Sequence, residues 1–167
     1  MVSTTVRHSA DPPALAMRSL SFLALALLGA VTTRAESQTV TGNRNLNFGV
    51  VIRGVPNSVL PSDPIRSGRF YVRYQLNRQV QVRLTLPNRL TRTGGGSLPI
   101  SFGATDAFAQ GTAGSSVPVT FDPRTTQTFT LQTSPDFYIN LGGRVAPTAA
   151  QATGNYTGNV TLTVTFF

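Results

Sequence analysis

The chain has 167 residues, 40% of them hydrophobic, with a formal net charge of +8 and a sequence pI near 11.5. That length suits one domain, and no stretch reaches the roughly 18 consecutive apolar residues that a membrane-spanning helix requires. There is no cysteine and only one histidine, His8, so a disulfide framework and a cysteine-rich metal site are both excluded.

The longest apolar run, Leu20 to Val31, is preceded by Arg18 and followed by Thr33-Arg34-Ala35. Positive charge, a short apolar core and a small-x-small triplet are the three parts of a secretory signal peptide, in their order. The competing reading is a buried helix. We expect a leader over 17–35, cleavage after Ala35, and a mature chain of 132 residues, Glu36 to Phe167. A chain of that size buries about two-thirds of its unfolded surface and needs no metal or disulfide to fold. Residues 1–16, with Asp11, Pro12 and Pro13, are unlike any part of an export signal, so translation is expected to start at Met17. All fourteen basic residues are arginine, and the mature chain keeps eleven of them against five acids, a charge of +6. Such a field favours anionic surfaces such as lipopolysaccharide, acidic polysaccharide or nucleic acid. The plainer reading is a solvated basic surface that aids solubility.

After residue 35, short apolar runs alternate with polar residues and are separated by Gly, Pro, Asn and Asp, the pattern of strands and turns. The first run is Asn45 to Ile52, with Leu46, Phe48 and Val50 on one face. A loop of about fifteen residues follows, containing Pro56, Pro61 and Pro64. From Phe70 to Leu86 every even position except Arg78 is apolar or aromatic. A three-residue hairpin loop there would keep one apolar face but would set Arg73 opposite Arg83, and facing like charges destabilise a ladder. Strands in separate sheets avoid the clash and are the favoured reading.

The chain continues with a loop at Thr93-Gly94-Gly95-Gly96 and a strand over Leu98 to Phe102. Gly103 to Ser116 reads as a loop. Three short strands follow at Val117 to Phe121, Thr128 to Leu131 and Phe137 to Leu141, the last ended by Gly142-Gly143. Pro147 to Gly154 is a further loop. The closing strand, Gly158 to Phe167, places Val160, Leu162, Val164 and Phe166 on one side and Thr161, Thr163 and Thr165 on the other. Seven to nine strands at this spacing define an all-β sandwich.

Without Cys, Lys or a mature-chain His, the usual nucleophile and base pairs cannot be assembled. The aspartates are scattered, and Asp63 and Asp122 each precede a proline, a turn setting. Gly94-Gly95-Gly96 lacks the GK[ST] ending of a phosphate loop. No enzyme activity, cofactor or metal is expected.

Three stretches carry a family likeness: Leu46-Asn47-Phe48-Gly49-Val50-Val51; Gly68 to Pro87; and Tyr138 to Gly143 continued through Gly154-Asn155-Tyr156-Thr157-Gly158 to Val164. Together they resemble the spore coat protein U and archaic pilin-like group, and especially a neighbouring family of exported bacterial domains of unknown function. The resemblance implies an immunoglobulin-like sandwich preceded by a signal peptide, located in the periplasm or on the surface of a Gram-negative-type bacterium. It also implies a structural or adhesive subunit built by a periplasmic chaperone and usher, with a neighbour's strand completing the fold. The edge that a chaperone, usher or neighbouring subunit would pair with is then Val160, Leu162, Val164 and Phe166. Two departures stand out: the disulfide common in those relatives is missing, and the mature segment before Leu46 has Val40 as its sole aliphatic residue.

Two rival readings come from other classes. One is a soluble sandwich that binds anionic polysaccharide through Arg73, Arg83 and Tyr71. The other is a small outer-membrane barrel, which the phase of the last strand disfavours because Phe167 falls on the threonine side. Neither needs a specific nucleic-acid partner. N-terminal sequencing of the exported protein should begin at Glu36, and that of the uncleaved precursor at Met17 rather than Met1.

Overall fold

The structure is a computed structural model that describes residues 2–8, 38–111, 119–131 and 134–167, the first of these as backbone. The expected leader over 17–35 and part of the 103–116 loop lie outside the described residues. In chain order the strands are β1 (Val2–His8), β2 (Thr39–Arg44), β3 (Asn57–Val59), β4 (Gly68–Arg73), β5 (Gln79–Thr85), β6 (Arg89–Arg92) and β7 (Ser97–Ser101). They continue with β8 (Ala107–Gly111), β9 (Val119–Phe121), β10 (Gln127–Thr130), β11 (Asp136–Leu141), β12 (Gly143–Val145) and β13 (Tyr156–Phe166). The described residues contain no helix.

Alternation decides how these strands stack. In β4, Gly68, Phe70 and Val72 are buried while Arg69, Tyr71 and Arg73 turn outward; in β5, Val80, Val82 and Leu84 are buried while Arg83 is exposed. Each strand thus has one face suited to a core. One sheet runs β2-β4-β11-β8-β9 and the other β10-β5-β13-β6-β7-β12-β3, with β1 beside β13. Neither sheet closes on itself among the described residues, so the arrangement is a β-sandwich and not a barrel. Phe70, Val72, Ile139 and Leu141 from the first sheet share a single core with Val80, Val82, Leu162 and Val164 from the second. Burying a side chain of this kind stabilises the fold by about 1.5–3 kcal/mol.

The crossover between β4 and β5 takes them into different sheets, as the Arg73–Arg83 conflict suggests, and Arg83 lies opposite Thr163 instead. The turn needs a left-handed residue, supplied by Asn77 at φ 58°. The Asn77 N–H donates to the Leu131 carbonyl at 2.7 Å, and the Leu131 N–H returns a bond to the Arg78 carbonyl at 3.0 Å.

Several expectations need correction. The first strand after residue 35 is β2, not 45–52. Beyond Arg44 the chain belongs to no strand yet buries Leu46 and Phe48, but Asn47 accepts the Gly49 N–H at 2.9 Å, and that turn leaves Val50 94% exposed. The stretch read as a loop from Gly103 contains β8, whose inward residues Ala107 and Ala109 are too small to announce a strand. Twelve strands, not seven to nine, are present among the described residues of 36–167. The excess comes from pieces such as β3, β6 and β12, three or four residues long, which offer too few alternations to register as a period.

Gly142 sits where β11 ends and β12 begins, packed beneath β3. A Cβ there would run into the Val59 carbonyl oxygen and the Pro61 nitrogen. Because both obstacles are backbone, neither can swing aside. Gly142→Ala is therefore expected to lower stability by about 1–3 kcal/mol, read from the midpoint of denaturant unfolding with an unchanged m-value.

Candidate functional site

Strand β13 is the longest element, and its two edges are treated differently. On one side Thr161 to Phe166 pairs antiparallel with β5. On the other, only Tyr156 and Thr157 pair with β6. At Gly158 the strands part: with no side chain there, Leu90 packs so close that a Cβ would lie 2.8 Å from its Cδ2. From Gly158 to Val164 the edge is taken by β1 in parallel register, from Val2 opposite Gly158 to His8 opposite Val164. The strand that fills this edge comes from the segment upstream of the expected leader. Strand β1 also borders β2 of the facing sheet.

The four edge residues named from the sequence all belong to β13, but not in equal roles. Val160, Leu162 and Val164 are core residues, each no more than 1% exposed. Phe166 lies past the β1 ladder, half-buried, its ring centroid 4.5 Å from that of Tyr74. The edge therefore exposes backbone groups to a partner strand, while the alternate side chains already belong to the sandwich interior.

A second constellation covers the outer face of the five-stranded sheet. The sequence grouped Arg73, Arg83 and Tyr71; the structure keeps Arg73 with Tyr71 on β4 and moves Arg83 to the opposite sheet. In its place β11 brings Asp136 opposite Arg73 and Tyr138 opposite Tyr71. Tyr71 donates its hydroxyl hydrogen to Asp136 Oδ1 at 2.6 Å, and Arg73 Nη1 lies 3.4 Å from the same oxygen. The bond to Asp136 raises the pKa of the Tyr71 phenol, and burial adds to the shift. The two tyrosine rings lie 5.4 Å apart, tilted by 44°. The Arg69 guanidinium stacks on Tyr138, 3.6 Å from the ring centroid, and its Nε is buried without a hydrogen-bond partner among the described residues. Arg69, Asp136 and Tyr138 were missed from the sequence because their neighbour relation depends on pairing segments more than sixty residues apart. The polar phase of Arg69-x-Tyr71-x-Arg73 was the one available signal.

Beside this face, Arg44 pins the loop between β3 and β4. Its guanidinium donates to the carbonyls of Pro64 and Ser67 and to Ser67 Oγ, the last at 2.7 Å. Burial, then the nearby charge of Arg69, lowers the Arg44 pKa. Asp63 closes the same loop by accepting the backbone N–H groups of Ile65 at 2.9 Å and Arg66 at 2.8 Å and pairing with the Arg66 side chain at 2.8 Å. Those bonds, the Arg66 amide first, hold the Asp63 carboxyl at about 2.

No family model matches the chain, and no curated protein or solved structure matches it either.

The Asp63 geometry has a pH signature. Because its pKa is depressed in the folded chain, the loop contribution is complete above the ordinary carboxylate range and is lost as pH falls from about 4 through 2. In an NMR titration the Asp63 carboxyl is expected to move near pH 2, together with the Ile65 and Arg66 amide resonances. Asp63→Asn should abolish that amide titration.

Proposed function

We propose that this protein is an exported structural or adhesive subunit of the pilin type, with an immunoglobulin-like sandwich whose β13 edge is completed by a strand from a partner. The observation that carries the reading is the parallel ladder between β1 and Gly158 to Val164. Among the described residues that stretch of β13 has no other partner on the β1 side. If export removes everything through Ala35, the ladder goes with it, leaving seven residues with one edge unpaired beside core side chains. An exposed edge of that kind pairs with whatever strand is offered, and strand addition is an established mode of recognition. Of the three stretches that resemble the spore coat protein U and archaic pilin-like group, one covers β4 and β5 and another runs from β11 to β13, so they include β13 and its neighbour β5, while Leu46 to Val51 lies on no strand.

The mature chain has no obvious strand to give in return. Polymerising by strand exchange requires an N-terminal extension free to leave its own domain. Residues Thr39 to Arg44 are instead committed as β2, with Val40 opposite Val72 in the five-stranded sheet. The reading is therefore of a subunit that accepts a strand without donating one, as a terminal, minor or stand-alone component on the periplasmic or outer surface. A chaperone or neighbouring subunit is its partner, and no catalytic role is proposed.

The test compares residues 36–167 with and without a synthetic peptide of Val2 to His8. The shortened chain is expected to be self-associating or weakly stable, and saturating peptide should raise its melting temperature by about 5 °C. A monomer that melts cooperatively at the same temperature with or without peptide would contradict strand complementation.

A further inference from the structure

The tyrosine and arginine face lies on the sheet away from the β13 edge and is independent of the strand-pairing reading. Along β4, Arg69 and Arg73 are four residues apart, which sets their Cα atoms about 13 Å from one another. Between them stand Tyr71 and, from the neighbouring strand, Tyr138. Beyond Tyr138 is Gln110 of β8, exposed and directly opposite it in register.

The two guanidiniums are in different states. Arg73 is half exposed and shares Asp136 with the Tyr71 hydroxyl. Arg69 has no carboxylate partner among the described residues. Its plane is held against the Tyr138 ring, which lowers the entropy lost when a planar anion docks on it. Arg44, in register with Arg69 on β2, already spends its donors on loop carbonyls and adds positive charge without being free to bind. The face thus carries excess positive charge, a fixed guanidinium, two tyrosine rings and an amide.

We propose that this face binds a carboxylate-bearing polysaccharide, with Arg69 and Arg73 taking carboxylates on separated sugar units and Tyr71, Tyr138 and Gln110 contacting the units between. Charge density favours this occupant over a nucleic acid. Polyphosphate chains carry closely spaced charges and are held by many basic contacts, whereas this face has two separated guanidiniums and, directly opposite Arg73, the Asp136 carboxylate, which repels a dense row of phosphates. Single-stranded nucleic acid also needs open ring faces for base stacking, and one face of Tyr138 is occupied by Arg69. Sugar chains with sparse carboxylates and many hydroxyls meet neither obstacle.

The experiment is calorimetric titration of the full chain with hyaluronate, which carries one carboxylate for every two sugar units, at low salt, alongside neutral dextran and a single-stranded oligonucleotide. Hyaluronate should bind, dextran should not, and the oligonucleotide should bind more weakly. Arg69→Gln and Arg73→Gln should each weaken hyaluronate binding about tenfold. Arg83→Gln, which removes the same charge from the opposite sheet, should leave it unchanged. If Arg69→Gln fails to fold, Arg69→Lys is read instead: it keeps the charge, loses the stacked plane, and should fall between the native chain and Arg73→Gln. An equal loss from Arg83→Gln would reduce the effect to diffuse charge, and an oligonucleotide bound as tightly as the sugar chain would make the face a general polyanion surface. Either result, or no binding of hyaluronate, overturns the proposal.

Discussion

A strand whose side chains are sealed in a core cannot leave its amides and carbonyls unpaired, and in this protein that requirement falls hardest on β13. Val160, Leu162 and Val164 tie it to the interior, and β5 serves one edge. The other edge belongs to β6 for only two residues before Gly158 lets the strands part. What the chain does with the remaining seven residues decides both how complete the sandwich is and what can join it. Occupation by β1 fills the edge with a segment upstream of the leader expected over 17–35, so removal of that leader would also remove the strand that completes the sheet.

Much of the architecture could be read from alternation. Strands β4, β5, β11 and β13 each contain five or more residues with a clear inward phase, and the two-sheet arrangement follows from the Arg73 and Arg83 positions once facing like charges are counted as a cost. Where the pattern failed, the reason was physical. Ala107 and Ala109 are core residues whose small side chains look like loop composition. Leu46 and Phe48 are buried by a chain that belongs to no strand and is held by bonds from the Asn47 N–H to the Arg66 carbonyl and from the Asn57 side chain to the Phe48 carbonyl, so burial and strand formation separate there. Val50 keeps the phase of Leu46 and Phe48 yet points to solvent, because Gly49 turns the backbone at φ 66°.

The candidate surfaces divide along the same line. That Val160, Leu162, Val164 and Phe166 share one strand was legible because their alternation is local. The tyrosine and arginine face was half legible: Tyr71 and Arg73 share a strand and a phase, but Arg69's stacking partner and the Asp136 carboxylate arrive from β11, and no local rule announces that pairing. Arg83 was grouped with them by sequence proximity, which a crossover between sheets cancels. Contacts along a strand are written in the local pattern, whereas contacts across strands depend on topology.

The direction of the β1–β13 ladder bears on mechanics. Two parallel neighbours, one gripped at its beginning and the other at its end, are pulled along their length in opposite senses. Their hydrogen bonds then share the load and must rupture together, whereas an antiparallel hairpin opened from its tips unzips one rung at a time. Any strand that occupies Gly158 to Val164 in the sense of β1 would put this joint under shear when tension reaches the C-terminus, the direction in which such a ladder resists longest.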